Sequence, residues 1–517
     1  MQASRFTLNA MARYKPVDRN PRLLPVVLSE QIQPGTFEFA LDHLVDHELD
    51  LSALDARFKN DEVGASAYDP RVMLKIVLLA YSRGLISSRV IEHACLHNVQ
   101  FIALSGDSQR SYTHIAKFVR ELGEQIKPLF TQVLLTCDRL GLIGRQMFAI
   151  DGVKLPANAS KERSGTHAEL LHRAARLEKA ADKIISLHQS QDSSTQEVDV
   201  NVQRQARIDA LHKEAQTTRD FVARSSRRLN RKGQELKTNI TDPDSAKMAT
   251  SKGVIQGYAA QATVDSSHQV IVAADVIGSG SEQSMLVPMI QQSNVVRAEH
   301  TLITADAGYH SNDNIAALKA GNIPAMIADN QMRQRDERFK DQGKHKAKAD
   351  PLYDKRATGQ ETPIRLYRPS DFTHDPSTNT CICPAGQHLY SNGSHCVVNG
   401  RTHHKFTGSK SSCGSCQHRH RCLRYPQRTQ VRQVAIFVKN QPSPHEATEL
   451  MKRAIDSARG RQLYSQRVGT VEPVFGNIRH NKRLSRFTLR SKAKVCTQWN
   501  LYCLVHNIEK LAHHGYQ

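Results

Sequence analysis

Apolar residues recur at helical spacing through the first 145 residues of the chain. A periodic run from Val72 to Tyr81 follows Asp69-Pro70 and stops at Gly84, and a second helix starts at Ser87-Ser88. Thr113 is the expected cap of a third helix, whose apolar residues are again three or four positions apart. The pattern predicts an all-helical N-terminal domain, and several short helices in series are compatible with a helix-turn-helix module.

After this region the helical spacing of apolar residues ends, and short continuous apolar runs follow. The expected strands are Met147–Ile150, Tyr258–Val264, Val270–Val276, Thr301–Ala305 and Pro324–Ala328. Ser266-Ser267-His268 separates the second from the third, which predicts a β-hairpin. Helical patterns over Ser281–Gln291 and from Ser311 or Asn312 to Lys319 alternate with the later strands. This alternation predicts an α/β core with a mixed sheet.

A helical pattern returns between residues 167 and 230. Apolar and small residues recur every three or four positions on both sides of a polar break, Gln191–Thr195. They are Leu170, Ala174, Leu177, Ala181 and Ile184 before the break and Ile208, Leu211, Ala215, Thr218 and Val222 after it. We expect an antiparallel helical hairpin, inserted at about 165–235, that serves as a packed arm without chemistry of its own.

The charge balance indicates the kind of partner that the protein binds. The 517 residues contain 71 Lys plus Arg against 50 Asp plus Glu, a net charge of +21. Residues 401–500 alone have 21 basic and 4 acidic residues, so this fifth of the chain holds +17 of the surplus. A solvated basic surface would be the simpler interpretation, but the bias persists through folded-looking, apolar segments. We therefore expect a polyanionic partner, nucleic acid before membrane.

Export and membrane insertion are not expected. No apolar run approaches the roughly 18 residues of a membrane span, and the first residues lack the apolar core of a signal peptide. The length predicts two or three domains. The composition, with 39% hydrophobic and 23% charged residues, is that of a globular chain. Without a signal peptide, the chain is expected in a reducing compartment, the cytoplasm.

Six of the ten cysteines lie between residues 381 and 422. Four of them are expected to hold a structural Zn²⁺ ion in a tetrahedron: Cys383, Cys413, Cys416 and Cys422. Possible substitutes in this set are Cys381, Cys396, His388 and His420. Disulfides are the alternative, although a reducing compartment disfavours them, and unpaired thiols are the third. Four protein ligands would leave no open position for chemistry.

Two carboxylates end predicted strands, where open α/β sheets place their chemistry. Asp151 lies in the sequence FAIDG and Asp306 in LITADAGYH. A third candidate, Glu472, lies in YSQRVGTVEPVFGNIRHNKR within the strongly basic region. Each of these acids could by itself be an ordinary charge partner.

In this order the motifs resemble the DDE transposases of bacterial insertion sequences, which have a ribonuclease-H-like catalytic fold. The closest resemblance is to the group with a Cys-rich insertion before the catalytic Glu, and it covers nearly the whole chain. The block AYDPRVMLKIVLLAYSRGLISSRVIE is similar to the N-terminal domain of that group. The sequences FAIDG and ADAGYHS are similar to its first two catalytic motifs, and VEPVFGNIRHNK to its third.

The family pattern is a Tyr, an Arg, the catalytic Glu and a basic residue seven positions later. Here these positions match Tyr464, Arg467, Glu472 and Arg479. The gap from Arg to Glu is one residue longer than in the commonest form, and Arg479 stands where Lys is more usual. We expected Pro473 to lie early in the helix that carries Glu472, because proline fits the first turn.

The resemblance implies a catalytic triad and its metal. Asp151, Asp306 and Glu472 would hold two Mg²⁺ (or Mn²⁺) ions for hydrolysis at the element ends, followed by strand transfer into target DNA. The implied contacts to DNA are Tyr464, Arg467, Arg479, Lys482, Arg483 and Arg486. Terminal inverted repeats and target DNA would be the double-stranded substrates. The protein would act as a homodimer or larger synaptic complex, associated with the nucleoid and not with a membrane.

These expectations give a domain organisation. Residues 1–145 form the helical DNA-binding domain, and 146–330 form the first part of the catalytic core, which includes the hairpin. Residues 331–455 form the insertion with the zinc knuckle, and 456–517 return to the core with the catalytic Glu. Other functions stay open: a non-catalytic regulatory protein derived from a transposase, a nuclease that cuts without joining, and a zinc-dependent hydrolase centred on the cysteines.

Overall fold

The computed structural model describes residues 25–57, 67–191, 198–230, 233–251, 253–339, 366–375, 377–398, 401–437 and 446–516. Residues 1–24, most of the polar break of the hairpin and most of the charged stretch after Gln331 lie outside these ranges.

Seven α-helices lie in the described part of the N-terminal region. They are α1 (Phe37–His43), α2 (Ser52–Asp55), α3 (Pro70–Ser82), α4 (Ser88–His97), α5 (Val99–Ser105), α6 (Tyr112–Glu121) and α7 (Ile126–Arg139). The side chain of Asp69 caps α3 by accepting from the Arg71 amide, and Pro70 occupies its first position, as predicted. The N-cap of α6 is Ser111 and not Thr113, which lies inside its first turn. The helical prediction for this region is confirmed.

A six-stranded mixed sheet follows. Its strands are β1 (Met147–Pro156), β4 (Ala246–Thr250), β5 (Gly253–Asp265), β6 (Ile271–Ile277), β7 (Leu302–Ala305) and β8 (Ala325–Ile327). The order is β4-β5-β1-β7-β8, with β6 also paired to β5. The strands β1, β7 and β8 are parallel, whereas β5 is antiparallel to its neighbours. Helices α10 (Leu286–Ser293) and α11 (Asn312–Ala320) connect β6, β7 and β8, and Ser311 caps α11.

The pairing of β1 with β7 determines where the two aspartates lie. Ile150 is the register partner of Ala305, so the next residue on each strand, Asp151 and Asp306, reaches the same edge of the sheet. Their proximity thus follows from strand order and register.

The helical hairpin consists of α8 (His167–Gln191) and α9 (Val198–Arg224). Ala181, Ile208 and Leu211 form a small core of their own between the two helices. A two-stranded ribbon, β2 (Ser164–Gly165) with β3 (Thr238–Asn239), closes the base of the hairpin.

The Cys-rich segment is a small antiparallel sheet, which the sequence patterns did not predict. Its order is β13-β12-β11-β10-β9, and it has two short helices, α12 (Lys410–Gly414) and α13 (Arg419–Cys422). The strands are β9 (Thr373–Asp375), β10 (Thr380–Ile382), β11 (His388–Val398), β12 (Arg401–Thr407) and β13 (Gln433–Phe437). A separate core around Phe406 supports this sheet.

Three helices complete the fold: α14 (Glu446–Asp456), α15 (Ala458–Gly476) and α16 (Lys492–His514). Ser457 caps α15 by accepting from the Gly460 amide. Pro473 lies in the last turn of α15, so the expectation that it would lie early in its helix was wrong. Helix α16 packs against α1, α3 and α7 on one side and β6 on the other, and Trp499 is fully buried there.

These elements confirm the predicted fold class. A ribonuclease-H-like mixed sheet is combined with a helical N-terminal region, a helical hairpin and a Cys-rich insertion. Among the described helices, none has both the length and the apolar content needed to cross a bilayer.

Candidate active site

The two aspartates form the centre of the site. Asp151 Oδ1 accepts the Gly152 amide at 2.8 Å, and Asp306 Oδ1 accepts the Gly308 amide at 2.8 Å. Burial raises the pKa of Asp151, Arg467 opposes this shift, and the charge of Asp306 adds to it. Two acids held this close to one another favour a cation between or beside them.

In this structure Arg467 supplies that positive charge. Its Nη1 donates to Asp151 Oδ2 at 2.7 Å, and its guanidinium lies 5.6 Å from the ring centroid of Tyr464. The Arg467 Nε is buried without a hydrogen-bond partner. Helix α15 thus brings the Tyr and Arg of the third motif against the aspartates.

Glu472 lies on the same helix but faces another direction. It is exposed, whereas the next residues toward the sheet, Val471 and Val474, are fully buried. Five positions separate Glu472 from Arg467, which is a rotation of about 140° around an α-helix. The structure brings Asp151 and Asp306 together at one edge of the sheet and leaves Glu472 exposed on α15.

A carboxylate that the sequence analysis missed lies beside the aspartates instead. A Cβ on Gly308 would lie 2.9 Å from Asp306 Oδ1 and 3.1 Å from Glu282 Oε2, and one on Gly152 would lie 2.8 Å from Glu282 Oε1. Burial, followed by the charges of Asp306 and Asp151, raises the pKa of Glu282 to about 7, and Lys154 opposes this shift. The only signal in the sequence was its place directly after a strand, in the segment GSGSEQ.

Buried polar residues fix the floor of the site. Tyr309 donates its hydroxyl to Gln261 Oε1, and Trp499 Nε1 donates to the Gln261 carbonyl at 2.9 Å. Gln261 is fully buried, and its amide lowers the pKa of the Glu282 carboxyl that it faces, although its Nε2 makes no hydrogen bond of regular geometry. Helix α16, through Trp499, therefore holds the strand behind the carboxylates.

The donor atoms suit a hard cation, but they are not assembled around one. All three nearby acids offer carboxylate oxygens, the ligands that Mg²⁺ prefers. In the ranges that the structure describes, no three His, Cys, Asp or Glu side chains are arranged to hold a metal ion. One physical reason is that Asp151 Oδ2 is already bound by Arg467.

The basic residues of the third motif differ in exposure. Arg479, Arg483 and Arg486 are exposed. Lys482 is fully buried, and its Nζ pairs with Glu509 Oε2 at 2.5 Å. The expected DNA contact by Lys482 is therefore corrected: its ammonium group joins the end of α15 to α16 inside the protein and does not reach the surface.

The four cysteines proposed for zinc line one cavity of about 30 Å³ in the small sheet. Burial raises the pKa of Cys422, with smaller contributions from Cys413, Cys383 and Cys416. The structure thus brings the predicted set together, yet the thiols do not meet the geometry of a metal site in the described part of the chain.

Three of the four alternative zinc ligands lie outside this cavity. Cys381 is fully buried in the core of the sheet, and Cys396 donates its thiol to the His403 carbonyl at 3.2 Å. His388 lines the cavity, whereas His420 does not. All ten cysteines are free, so the structure contains no disulfide to support that alternative.

Two family models match the chain. A model described as "Transposase DDE domain" matches residues 382–512, and one described as "Transposase domain (DUF772)" matches residues 26–121. The first match includes Glu472 and Arg467, and Asp151 and Asp306 lie before it. No curated protein matches the chain. With the ribonuclease-H-like core and its paired aspartates, the two matches, which together cover less than half of the chain, indicate a DDE-type transposase of an insertion sequence.

Proposed function

We propose that this transposase cleaves DNA at the ends of its insertion sequence in a metal-dependent reaction and joins the freed 3′ ends to target DNA. The observation that carries the proposal is the pair Asp151 and Asp306 at one edge of the sheet, with Arg467 bound to the first. Paired carboxylates at strand ends, together with a guanidinium, suit the chemistry of a phosphodiester.

The proposed roles follow from the side chains. Asp151, Asp306 and Glu472 would hold two Mg²⁺ or Mn²⁺ ions, which activate the nucleophile and stabilise the leaving oxygen when bound. Arg467 has an unpartnered, buried Nε and can receive a phosphate oxygen. Tyr464, Arg479, Arg483 and Arg486 would contact the transferred DNA end, and Tyr464 lies beside Arg467 already.

Glu472 is the third carboxylate of this assignment, and it is exposed on α15. Glu282, by contrast, is already adjacent to Asp306. The two glutamates therefore need to be compared directly.

The test is a cleavage assay with an end-containing duplex and Mg²⁺, followed by sequencing of the products. Wild type is compared with Asp306→Asn, Glu472→Gln, Glu282→Gln and the exposed control Glu299→Gln, at the opposite end of β7 from Asp306. Specific nicking by wild type and the control, its loss in Asp306→Asn and retained DNA binding support the proposal. Equal cutting by Asp306→Asn and wild type would refute the assigned centre.

A second candidate is a non-catalytic, DNA-binding protein derived from a transposase. The observation in its favour is that no three metal-ligating side chains are assembled in the described residues. Tight, salt-sensitive binding without any cleavage by wild type would select it. Cleavage without joining to a target duplex would select a hydrolytic nuclease instead.

Double-stranded DNA is the proposed partner: terminal inverted repeats and a target. The positive charge of +21 supports this partner, because phosphate neutralisation gives affinity that falls steeply with salt. A homodimer or larger synaptic complex, associated with the nucleoid in the cytoplasm, would bring the two ends together. Analytical ultracentrifugation with and without end DNA tests the oligomer.

For the cysteine cavity we propose a structural Zn²⁺ held by Cys383, Cys413, Cys416 and Cys422. Its support is the shared cavity and the soft thiolate donors. Metal analysis of the purified protein should give one zinc per chain. Cys413→Ser should lose it, whereas Cys396→Ser, outside the cavity, should keep it. Equal zinc content in the two variants, or none in wild type, would refute the proposed set.

A further inference from the structure

A large basic groove begins next to the candidate active site. It has a volume of about 880 Å³ and lies between the end of β1, the edge strand β4 and the base of the helical hairpin. Five cationic side chains line it against two carboxylates, Glu162 and Glu235. The cations are Lys154, Lys161, Arg228, Lys237 and Lys247. None of them belongs to the strongly basic region at residues 401–500, so the charge pattern of the sequence did not indicate this surface.

The positive charge in the groove is only partly neutralised. The Arg228 guanidinium is fixed by neutral carbonyls, those of Pro243 at 2.8 Å and Gly278 at 3.1 Å. Burial lowers the pKa of Lys247, and the charge of Lys237 lowers it further. Glu235 Oε1 is used to accept the His167 amide at 2.7 Å. Lys237 is paired with Glu169 at 2.8 Å, yet the lining still has more cations than carboxylates, which favours a bound anion.

One end of the groove reaches the carboxylates. Lys154 lies three residues after Asp151 on β1, lines the groove and acts electrostatically on Glu282. Ser279, Gly280 and Ser281 also line it and lead directly into Glu282. The groove and the candidate active site are therefore continuous.

The other end opens into a second basic cavity. This cavity, about 600 Å³ in volume, shares Lys161 and Glu162 with the groove. It adds Arg163, Arg486 and Arg490. Arg486 was expected to bind DNA from the resemblance, and here it lies on the continuation of this surface. The two cavities form one basic track from the carboxylates past the base of the hairpin.

We propose that this track binds the backbone phosphates of the substrate DNA on one side of the scissile phosphate. The inference rests on the proposed function and names a DNA-binding surface of the same site. Point charges on flexible stems, with serine hydroxyls and backbone amides of a Gly-Ser segment, suit phosphates of any sequence. The track therefore contributes affinity and orientation, and it does not read bases.

The test compares three end-containing duplexes by fluorescence anisotropy: one that extends past the scissile phosphate on both sides, and two that stop there, one on each side. The variant is Lys237→Gln/Lys247→Gln in the full chain. Its charge-matched control is Lys179→Gln/Lys213→Gln, two exposed lysines on the hairpin helices outside the track. Melting curves establish that both double variants fold.

The Lys237→Gln/Lys247→Gln variant should bind the full duplex about tenfold more weakly at 0.1 M salt, with a salt slope lower by about 2. The defect should persist with only one of the two truncated duplexes, and Lys237→Arg/Lys247→Arg should restore binding. Binding equal to that of the control, or the same defect with all three duplexes, would overturn the inference about the track. Cleavage of end DNA by wild type would still support the proposed function in that case. Wild type that neither binds nor cuts end DNA would refute both.

Discussion

The pKa of Glu282 reflects the burial and the charges of the candidate active site. In the folded protein burial, followed by the charges of Asp306 and Asp151, raises its pKa from 4.5 to about 7 by disfavouring the ionised form. The folded state thus binds the proton more tightly than the unfolded state. The resulting stability is fully present below pH 4.5 and is lost as the pH rises through about 7.

Glu282→Gln should therefore stabilise the metal-free protein at pH 8. The expected gain is roughly 1–3 kcal/mol, allowing for partial solvation, and it should shrink toward pH 5. Thermal unfolding in the presence of a chelator at both pH values measures it, with Glu299→Gln as the exposed control. A gain that is the same at pH 5 and pH 8 would contradict the assigned cause.

The sequence predicted Asp151 and Asp306 because both end apolar runs, and local pattern is enough to find a strand end. It did not predict Glu282, since the contact of that residue with Asp306 depends on how β6 and α10 cross the sheet. It also did not predict the direction of Glu472. Helix packing sets which side of α15 faces the sheet, and Val471 and Val474 occupy that side.

Among the elements, β6 has an unusual close approach at its end. Gly278 follows the strand, and a Cβ there would overlap the Asp244 carbonyl oxygen, which lies just before β4. Backbone cannot move away as a flexible side chain can, so only glycine allows these two segments to pack. This approach forms part of the wall of the basic groove.

Gly278→Ala should destabilise the protein by about 1–3 kcal/mol through overpacking. The control two residues later is Gly280→Ala, where the added Cβ would meet no atom within 4 Å. Urea unfolding of both variants measures the difference. Equal stability of the two variants would mean that the segments can separate without cost.

Most elements were predictable where their signals are local. The N-cap of α3 at Asp69, the hairpin of β5 and β6 and the N-cap of α11 at Ser311 all agree with the expected patterns. The five-stranded Cys-rich sheet was missed because its strands are largely polar and partly exposed, so neither an alternating nor a continuous apolar pattern marks them. Pro473 was misplaced because α15 extends fifteen residues before it.

At the scale of the whole molecule, α16 joins the N-terminal helices to the mixed sheet. Its residues belong to one continuous core that includes the N-terminal helices and the sheet. Lys482 and Glu509 reinforce this junction with a buried ion pair between the segment after α15 and α16. Breaking such a pair leaves one charge buried without its partner.

Lys482→Met should lower the free energy of unfolding by about 3–5 kcal/mol. The exposed Arg486→Met should leave it nearly unchanged and reduce DNA affinity instead. Urea unfolding separates the two variants, and Lys482→Met/Glu509→Met should recover part of the loss. An unchanged stability of Lys482→Met, together with weaker DNA binding, would return Lys482 to the DNA-contacting surface.

The position of α16 in the core also has a consequence for synthesis on the ribosome. The Tyr516 hydroxyl donates to the Glu48 carboxylate across 468 residues, and the buried Trp499 donates to the Gln261 carbonyl of β5 across 238 residues. Early helices such as α1 and α3 therefore emerge with an apolar face that lacks its covering helix until almost the whole described chain has been translated. Closure of such a long loop delays folding, so nascent chains depend on chaperones to shield that face.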